Sequence, residues 1–280
     1  MIHGAKGAVH LKRVELAGKV INILLTGTSE ELCELCLTLR ARQSIESHMT
    51  CPIPGGFLVA IEGIDGSGKT TQAQLLAKFC EENRLSYVVS KEPTKGKYGC
   101  QIRDSAVRGR LSVADEIDIL DKDRREHVEA VINPALRDER IVILDRYYFS
   151  TAAYQGAHGG DAEWILGENE KFAPQPDLLI VLDVRPETGL ERIRKRGDEP
   201  NKFETIESLE KAREIFLGIK RPYKREINAE AGIEWVSFWA TKHFQAAAVN
   251  KISRHHLSPD GVNRTREFFG ETPLPLSVIA

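Results

Sequence analysis

A strand-like run, Phe57 to Glu62 (FLVAIE), passes directly into Gly63-Ile64-Asp65-Gly66-Ser67-Gly68-Lys69-Thr70-Thr71, and the residues that follow read as a helix. The loop fits G-x-x-x-x-G-K-[ST] in the strand, loop, helix setting that the pattern requires, which confines the chain to an α/β arrangement. Average residue usage makes a chance match in a chain of this length only about one per cent. The glycines let consecutive backbone N–H groups point inward as an anion nest at a helix N-terminus. Lys69 then reaches the β/γ-phosphates, and Thr70 can place its hydroxyl on Mg²⁺. The implied ligand is ATP or GTP with magnesium, bound by Gly63 to Thr71.

Downstream the pattern alternates. Strand-like runs occur at Ser86 to Ser90, Ile141 to Leu144, Leu178 to Asp183 and Ile233 to Phe238. Between them, helices are expected from Lys69 to Asn83, within Gln101 to Glu139, from Ser150, from Ala162, from Pro186 to Arg196 and from Ile206 to Ala229. Five short strands with helical crossovers predict a parallel sheet covered on both faces, the P-loop NTPase type of α/β fold. Ligands of such sheets bind beyond the carboxyl ends of the strands, so functional residues are expected just after them.

The charge balance is 39 Lys+Arg against 41 Asp+Glu, which excludes an overall basic nucleic-acid binder and leaves any polyanion site local. No apolar stretch approaches the ~18 residues that a bilayer span requires. The first residues have no signal-peptide core, and Glu15 is out of place in a transit peptide, so a cytoplasmic protein is expected. Five scattered cysteines do not make a disulfide framework. The segment Cys51-Pro-Ile-Pro-Gly-Gly56 is a linker-like break, so residues 1–55 form an extension, with a strand at Lys19 to Thr26 and a helix at Ser29 to Arg42. A nucleotide-binding domain over 56–252 and a loose tail over 253–280 follow.

The third strand ends Leu144-Asp145-Arg146-Tyr147, and no Asn-Lys-x-Asp motif for guanine occurs. A carboxylate at a strand end near magnesium, with a guanidinium beside it, suits a site that also holds a second phosphate. Asp145 orients metal or water, and Arg146 makes bidentate contacts to an acceptor monophosphate.

At this point the chain resembles the thymidylate kinases of the nucleoside monophosphate kinase group, over Phe57 to Ile252. The blocks that carry the resemblance are GIDGSGKTT (Gly63 to Thr71), KEP (Lys91 to Pro93), Arg103 in QIRD, DRREHVEAVINPAL (Asp123 to Leu136), DRYYFSTAAYQG (Asp145 to Gly156), PDLLIVLDV (Pro176 to Val184) and PETGLERIRKRG (Pro186 to Gly197). The resemblance implies transfer of phosphate from ATP to dTMP. It implies that Asp65 and Glu92 face the acceptor nucleotide and that Arg103 and Arg146 hold its phosphate. Arg124 would reach the pyrimidine O4, Thr151 and Gln155 would help hold the base, and Tyr154 would press where a 2′-hydroxyl would sit. It further implies a lid after the fourth strand that supplies a charge-stabilising arginine, Arg192 or Arg196, and a homodimer formed through helices flanking the sheet.

One position departs from the family pattern. Leu120 stands where an aromatic ring usually stacks on thymine. Losing that contact weakens base binding by only ~2–12-fold, and leucine still covers a ring face. The rival readings are a kinase of the same fold acting on another deoxynucleoside monophosphate and a catalytically silent nucleotide-binding module. Among weaker signals, Cys33 and Cys36 lack a second pair at metal-ligand spacing and read as buried residues of a helix, His255-His256 as solvent-facing, and Trp235, Phe238 and Trp239 as core. Lys69 reads as a solvated loop cation.

Overall fold

The computed structural model describes residues 53–109, 111–197 and 205–256. The strand and helix expected within 1–55, the cysteine pair there, Asp198 to Pro200 of the lid and the tail beyond His256 lie outside the described residues.

Five parallel strands form one sheet: β1 (Phe57–Glu62), β2 (Tyr87–Lys91), β3 (Ile141–Asp145), β4 (Leu178–Asp183) and β5 (Lys224–Asn228), in the order β2-β3-β1-β4-β5. The three inner strands are the continuous apolar runs FLVAIE, IVILD and LLIVLD. Nearly every residue of them is buried, as strands covered on both faces must be. The two edge strands, YVVSK and KREIN, are half exposed. Helix α1 (Lys69–Glu82) follows β1, and α2 (Lys97–Arg108) and α3 (Val113–His127) follow β2. A π turn at Val128–Ile132 joins α3 to α4 (Asn133–Arg137), where Pro134 has no N–H to continue the α-helical ladder. Then come α5 (Tyr148–Ala157), α6 (Ala162–Glu170), α7 (Pro186–Lys195), α8 (Ile206–Gly218) and α9 (Ile233–His256). Ser112, Asp161 and Thr205 cap α3, α6 and α8 by accepting a backbone N–H from three residues ahead.

The carboxyl end of the chain departs from expectation. Residues 206–229 are not one helix: α8 ends at Gly218 and β5 follows, invisible as a strand because only Ile227 of KREIN points into the core. Ile233 to Phe238 is not the fifth strand but the opening of the 24-residue helix α9, which runs on through Ser253 to His256, where the tail was expected to begin. Trp235, Phe238 and Trp239 are 55%, 51% and 38% exposed and pack edge-on against one another, so they are not core. The core role on this helix belongs to Phe244, whose ring meets Phe57 at 5.2 Å.

Two contacts fix the strand ends where ligands of this fold bind. Gly66 and Gly189 bring the loop after β1 against α7 so closely that a Cβ on Gly66 would lie 2.1 Å from the Gly189 carbonyl oxygen. Glu62, fully buried at the end of β1, accepts the backbone N–H groups of Tyr147 and Ser150 and the Ser150 hydroxyl, so a strand carboxylate caps α5. Burial pushes its pKa up to about 7, against the hydrogen bonds and nearby cations that favour ionisation.

Because the folded protein holds a proton on Glu62 that the unfolded chain releases near pH 4.5, this residue's contribution to stability is full below 4.5 and lost as pH rises to about 7. Glu62→Gln is therefore expected to remove a falling slope, on the order of 3 kcal/mol, from the stability profile over that window. Urea midpoints of both proteins across pH 4.5 to 7.5 measure it; parallel profiles would sink the idea. A chain beginning at Ile53, which is buried in the core, is expected to unfold cooperatively with an unchanged urea midpoint. An aggregated or less stable product would make residues 1–52 part of the fold.

Candidate active site

The parallel register pairs Ile61 with Asp145, and Arg146 donates its backbone N–H to the Ile61 carbonyl, so the loop after β1 and the Asp145-Arg146 pair emerge side by side. Gly68, in left-handed backbone at φ 98, ends the loop with open space where a Cβ would stand. Lys69 is not a solvated cation. It is 6% exposed and folds back to donate to the carbonyls of Gly63 (3.0 Å) and Ile64 (2.8 Å), with Asp65 at 3.6 Å. Burial, aided by the neighbouring Arg146 charge, lowers its pKa to about 8. A buried ammonium held by carbonyls and one carboxylate is short of negative charge, which an arriving phosphate supplies.

Asp145 is the second anchor. Thr70 donates its hydroxyl to Asp145 Oδ2 at 2.5 Å, and the Lys91 ammonium lies 3.1 Å from the same oxygen. Burial opposes ionisation, but the Thr70 hydrogen bond and the charges of Lys91, Lys69 and Arg146 outweigh it and hold the carboxyl below its usual range. The other oxygen, Oδ1, is buried with no hydrogen-bond partner among the described residues, and so is the Ser67 hydroxyl inside the loop. An orphaned carboxylate oxygen beside a threonine hydroxyl is an oxygen donor set that suits Mg²⁺ or one of its waters.

Arg146 adopts φ 73, a left-handed conformation uncommon for a side-chain-bearing residue. Its guanidinium pairs with Asp65 and sits 5.3 Å from the centre of the Tyr154 ring. It thereby joins a cavity of about 350 Å³, within the usual size of a small-molecule cleft. Asp65, Glu92, Arg103 and Leu120 line the same cavity, as do Arg124, Thr151, Tyr154 and Gln155, so every residue assigned to the acceptor from sequence falls on one concave surface. Arg103 is exposed at its mouth, its guanidinium donating to the carbonyls of Pro93 and Thr94. Leu120 is half-buried on the wall.

The deep end is polar and buried. Arg124, 1% exposed, donates to Glu92 Oε2 (2.8 Å), Asn169 Oδ1 (2.6 Å) and Thr151 Oγ1 (3.0 Å). Glu92 Oε1 meets His127 Nδ1 at 2.9 Å, and His127 Nε2 lies 2.7 Å from Ser90 Oγ. The Asp123 carboxylate holds the backbone N–H and hydroxyl of Thr94 and so pins the loop that carries Glu92. Of the two arginines assigned to the lid, Arg192 lies against the phosphate loop, bonding the carbonyls of Gly66 (3.5 Å) and Ala229 (2.8 Å). Arg196, at the end of α7, is exposed, and neither lines the acceptor cavity.

Sequence reasoning did not single out Glu62, Gly189, His127 or Asn169. His127 sits inside the block DRREHVEAVINPAL, and its i, i+3 spacing from Arg124 puts both on one helix face. Asn169, on α6, carries no local signal and is found only through the fold.

The family profile described as Thymidylate kinase matches residues 61–237. A thymidylate kinase of Xanthomonas campestris pv. campestris is 56% identical over 199 residues, covering 71% of this chain and 87% of that protein. One of Xanthomonas euvesicatoria pv. vesicatoria is 49% identical over 200 residues, 71% of this chain and 88% of its own. A third, of Xylella fastidiosa, is 53% identical over 184 residues, 66% of this chain and 84% of its own. With a phosphate loop, a strand-end Asp-Arg pair and an acceptor cavity already assembled on a five-stranded parallel sheet, these matches establish that the chain belongs to the thymidylate kinase family.

Proposed function

We propose that the protein phosphorylates dTMP to dTDP at the expense of ATP, in the formation of dTTP, with the 350 Å³ cavity as the dTMP site and Gly63 to Thr71 as the ATP phosphate site. The observation that supports the assignment of sites is the pairing of Arg146, at the end of β3, with Asp65 of the phosphate loop, both on the wall of that cavity, an arrangement suited to bringing donor and acceptor phosphates together. The reaction is an in-line displacement. A phosphate oxygen of dTMP attacks the γ-phosphorus, the bond to the β,γ-bridging oxygen breaks, and ADP leaves. The attacking oxygen is already anionic, so no general base is required.

Catalysis then rests on positioning and charge neutralisation. Lys69 moves from its carbonyl partners to the β/γ-phosphates. Arg146 and Arg103 hold the acceptor phosphate, and Arg192, already against Gly66, is better placed than Arg196 to reach the transferred group. Thr70 and Asp145 would hold Mg²⁺, which would offset the negative charge of the ATP phosphates. Deeper in the cavity, Arg124, Thr151 and Gln155 face the base, Leu120 covers its ring, and Tyr154 stands against the sugar. We place the protein in the cytoplasm: no described helix is long and apolar enough to cross a membrane, and the two described cysteines, Cys80 and Cys100, are free thiols. The family resemblance supports a homodimer, which light scattering would test.

The deciding experiment is ADP release from ATP·Mg²⁺ with dTMP, dUMP, dCMP and dGMP in parallel. Turnover led by dTMP is expected; turnover led by another monophosphate would move the substrate, and ATP binding without ADP production on any would leave a silent nucleotide-binding module. Arg146→Ala removes a charge-assisted contact and is expected to lower kcat/KM for dTMP by ~10–150-fold while the KM for ATP changes little. Equal losses on both substrates would put this arginine in the wrong half of the site. Lys69→Met is expected to abolish transfer without loss of stability at pH 7, because folding disfavours the buried charge. Since the folded pKa is about 8 against 10.5, the parent should gain stability relative to the variant as pH rises from 8 to 10.5. A variant less stable than the parent at every pH, or one with turnover within tenfold, would contradict this.

A further inference from the structure

The least exposed carboxylate in the acceptor cavity, Glu92, has two buried side-chain partners on one helix, and only one of them borders the cavity. Arg124 and His127 are successive residues on the inner face of α3, and both reach Glu92 from the same side. Glu92 Oε2 is taken by Arg124 and Oε1 by His127 Nδ1. A carboxylate only accepts, so Nδ1 carries a proton and donates it, and Nε2 is paired with the Ser90 hydroxyl at the other end of the ring. Ser90 lies on β2, two residues before Glu92, so the ring is held at both ends by the segment that it orients.

We propose that His127 is a positioning residue for base recognition: through its Nδ1–H it fixes the Glu92 carboxylate, which in turn holds the Arg124 guanidinium at the base end of the acceptor cavity. The proposal rests on the reading of that cavity as the dTMP site. Arg124 is otherwise bonded to Asn169 and Thr151, both neutral acceptors, and more distantly to Asp121 (3.5 Å), so Glu92 supplies its closest charged partner and its register along the cavity wall. If the Nδ1 donor is lost, Glu92 Oε1 becomes a buried anionic oxygen with no proton to accept. Rotation of the carboxylate to share Arg124 through both oxygens then satisfies it, and that rotation drags the guanidinium away from Asn169 and Thr151. The consequence falls on the base. His127 and Ser90 border a second cavity together with Thr70 and Asp145, but among the described residues no hydrogen bond or ion pair joins the two pairs, so the effect is expected to fall on dTMP binding more than on ATP binding or the chemical step.

Asparagine and glutamine separate the two ends of the ring. His127→Asn keeps an N–H donor near the Nδ1 position and gives up Ser90; His127→Gln reaches the Nε2 position and gives up Glu92; His127→Leu gives up both. Steady-state kinetics with ATP·Mg²⁺ and dTMP, with a urea midpoint for each variant, test the proposal. His127→Leu and His127→Gln are expected to raise the KM for dTMP about 10-fold or more, with kcat and the KM for ATP within about threefold, and His127→Asn is expected to stay within about threefold of the parent throughout. Should His127→Leu fail to fold, Ser90→Ala gives the reading instead: the ring keeps its donor but loses its far anchor, and a rise of about 2–5-fold in the KM for dTMP alone is expected. Asn and Gln variants with equal KM values for dTMP would overturn the proposal, as would losses in kcat and both KM values that track the fall in stability. A parent that turns over a different monophosphate contradicts the substrate reading alone, and the Asn–Gln split is then measured on that acceptor with the same expected outcome.

Discussion

The pairing of β1 with β3 is the constraint on which the rest depends. Their register sets Ile61 opposite Asp145, so the residues that leave the two strands, Glu62 to Asp65 on one side and Asp145-Arg146 on the other, have nowhere to go but the same crevice. The apolar runs behind them are buried on both faces and hold the register firmly, since a slip would leave the strand-end polar groups unpaired inside the core. Glu62 then carries the register into the next element: its carboxylate caps α5, and α5 presents Thr151, Tyr154 and Gln155 to the acceptor cavity. One strand pairing thus places the G-x-x-x-x-G-K-T loop, the Asp145 carboxylate, the Arg146 guanidinium and one wall of the cavity together.

The electrostatics of that crevice follow from confinement. Lys69 and Arg146 meet Asp65 and Asp145 in a largely buried crevice with the exposed Lys91 at its edge, and each cation is held by a carboxylate or by carbonyls of the loop itself. Isolated, these contacts are poor compensation for buried charge, and the lowered pKa of Lys69 records the deficit. On the proposed function, incoming phosphates and a divalent ion would offset it, with Lys69 and Arg146 exchanging carbonyl and carboxylate partners for phosphate oxygens and the orphaned oxygen of Asp145 facing the cation.

What was legible in the sequence follows the same physics. The inner strands and the phosphate loop could be read because burial on both faces demands continuous apolar residues and an anion nest demands glycine. Arg124 and Arg146 were found because short local blocks carry them. The edge strand β5 could not be read: KREIN has solvent on most of its surface, so the requirement that makes strands visible does not act on it. The cluster Trp235, Phe238 and Trp239 misled for the converse reason, since apolar residues can stand exposed on a helix whose core face is carried by others, here Val236, Ala240 and Phe244. Asn169 and Glu62 escaped because each acts on a residue remote in the chain, at Arg124 and at Tyr147, and one sequence does not record such pairings.

The same distinction bears on how thymine is selected. Leu120 lacks the ring that stacking would use, but it lines the cavity at the wall, where apolar contact discriminates poorly between bases of similar size. An added or lost methylene-sized contact is worth ~10–200-fold at most, whereas a buried polar group left without its partner separates substrates by ~10⁴-fold or more. Arg124 is such a group. Its donors are bound on three sides by Glu92, Asn169 and Thr151, so it has little freedom to turn toward a base edge of the wrong polarity. With the cavity taken as the proposed dTMP site, a leucine on the wall is compatible with strict choice of base, because a buried guanidinium that cannot adapt is better suited to make that choice than the surface the ring lies on.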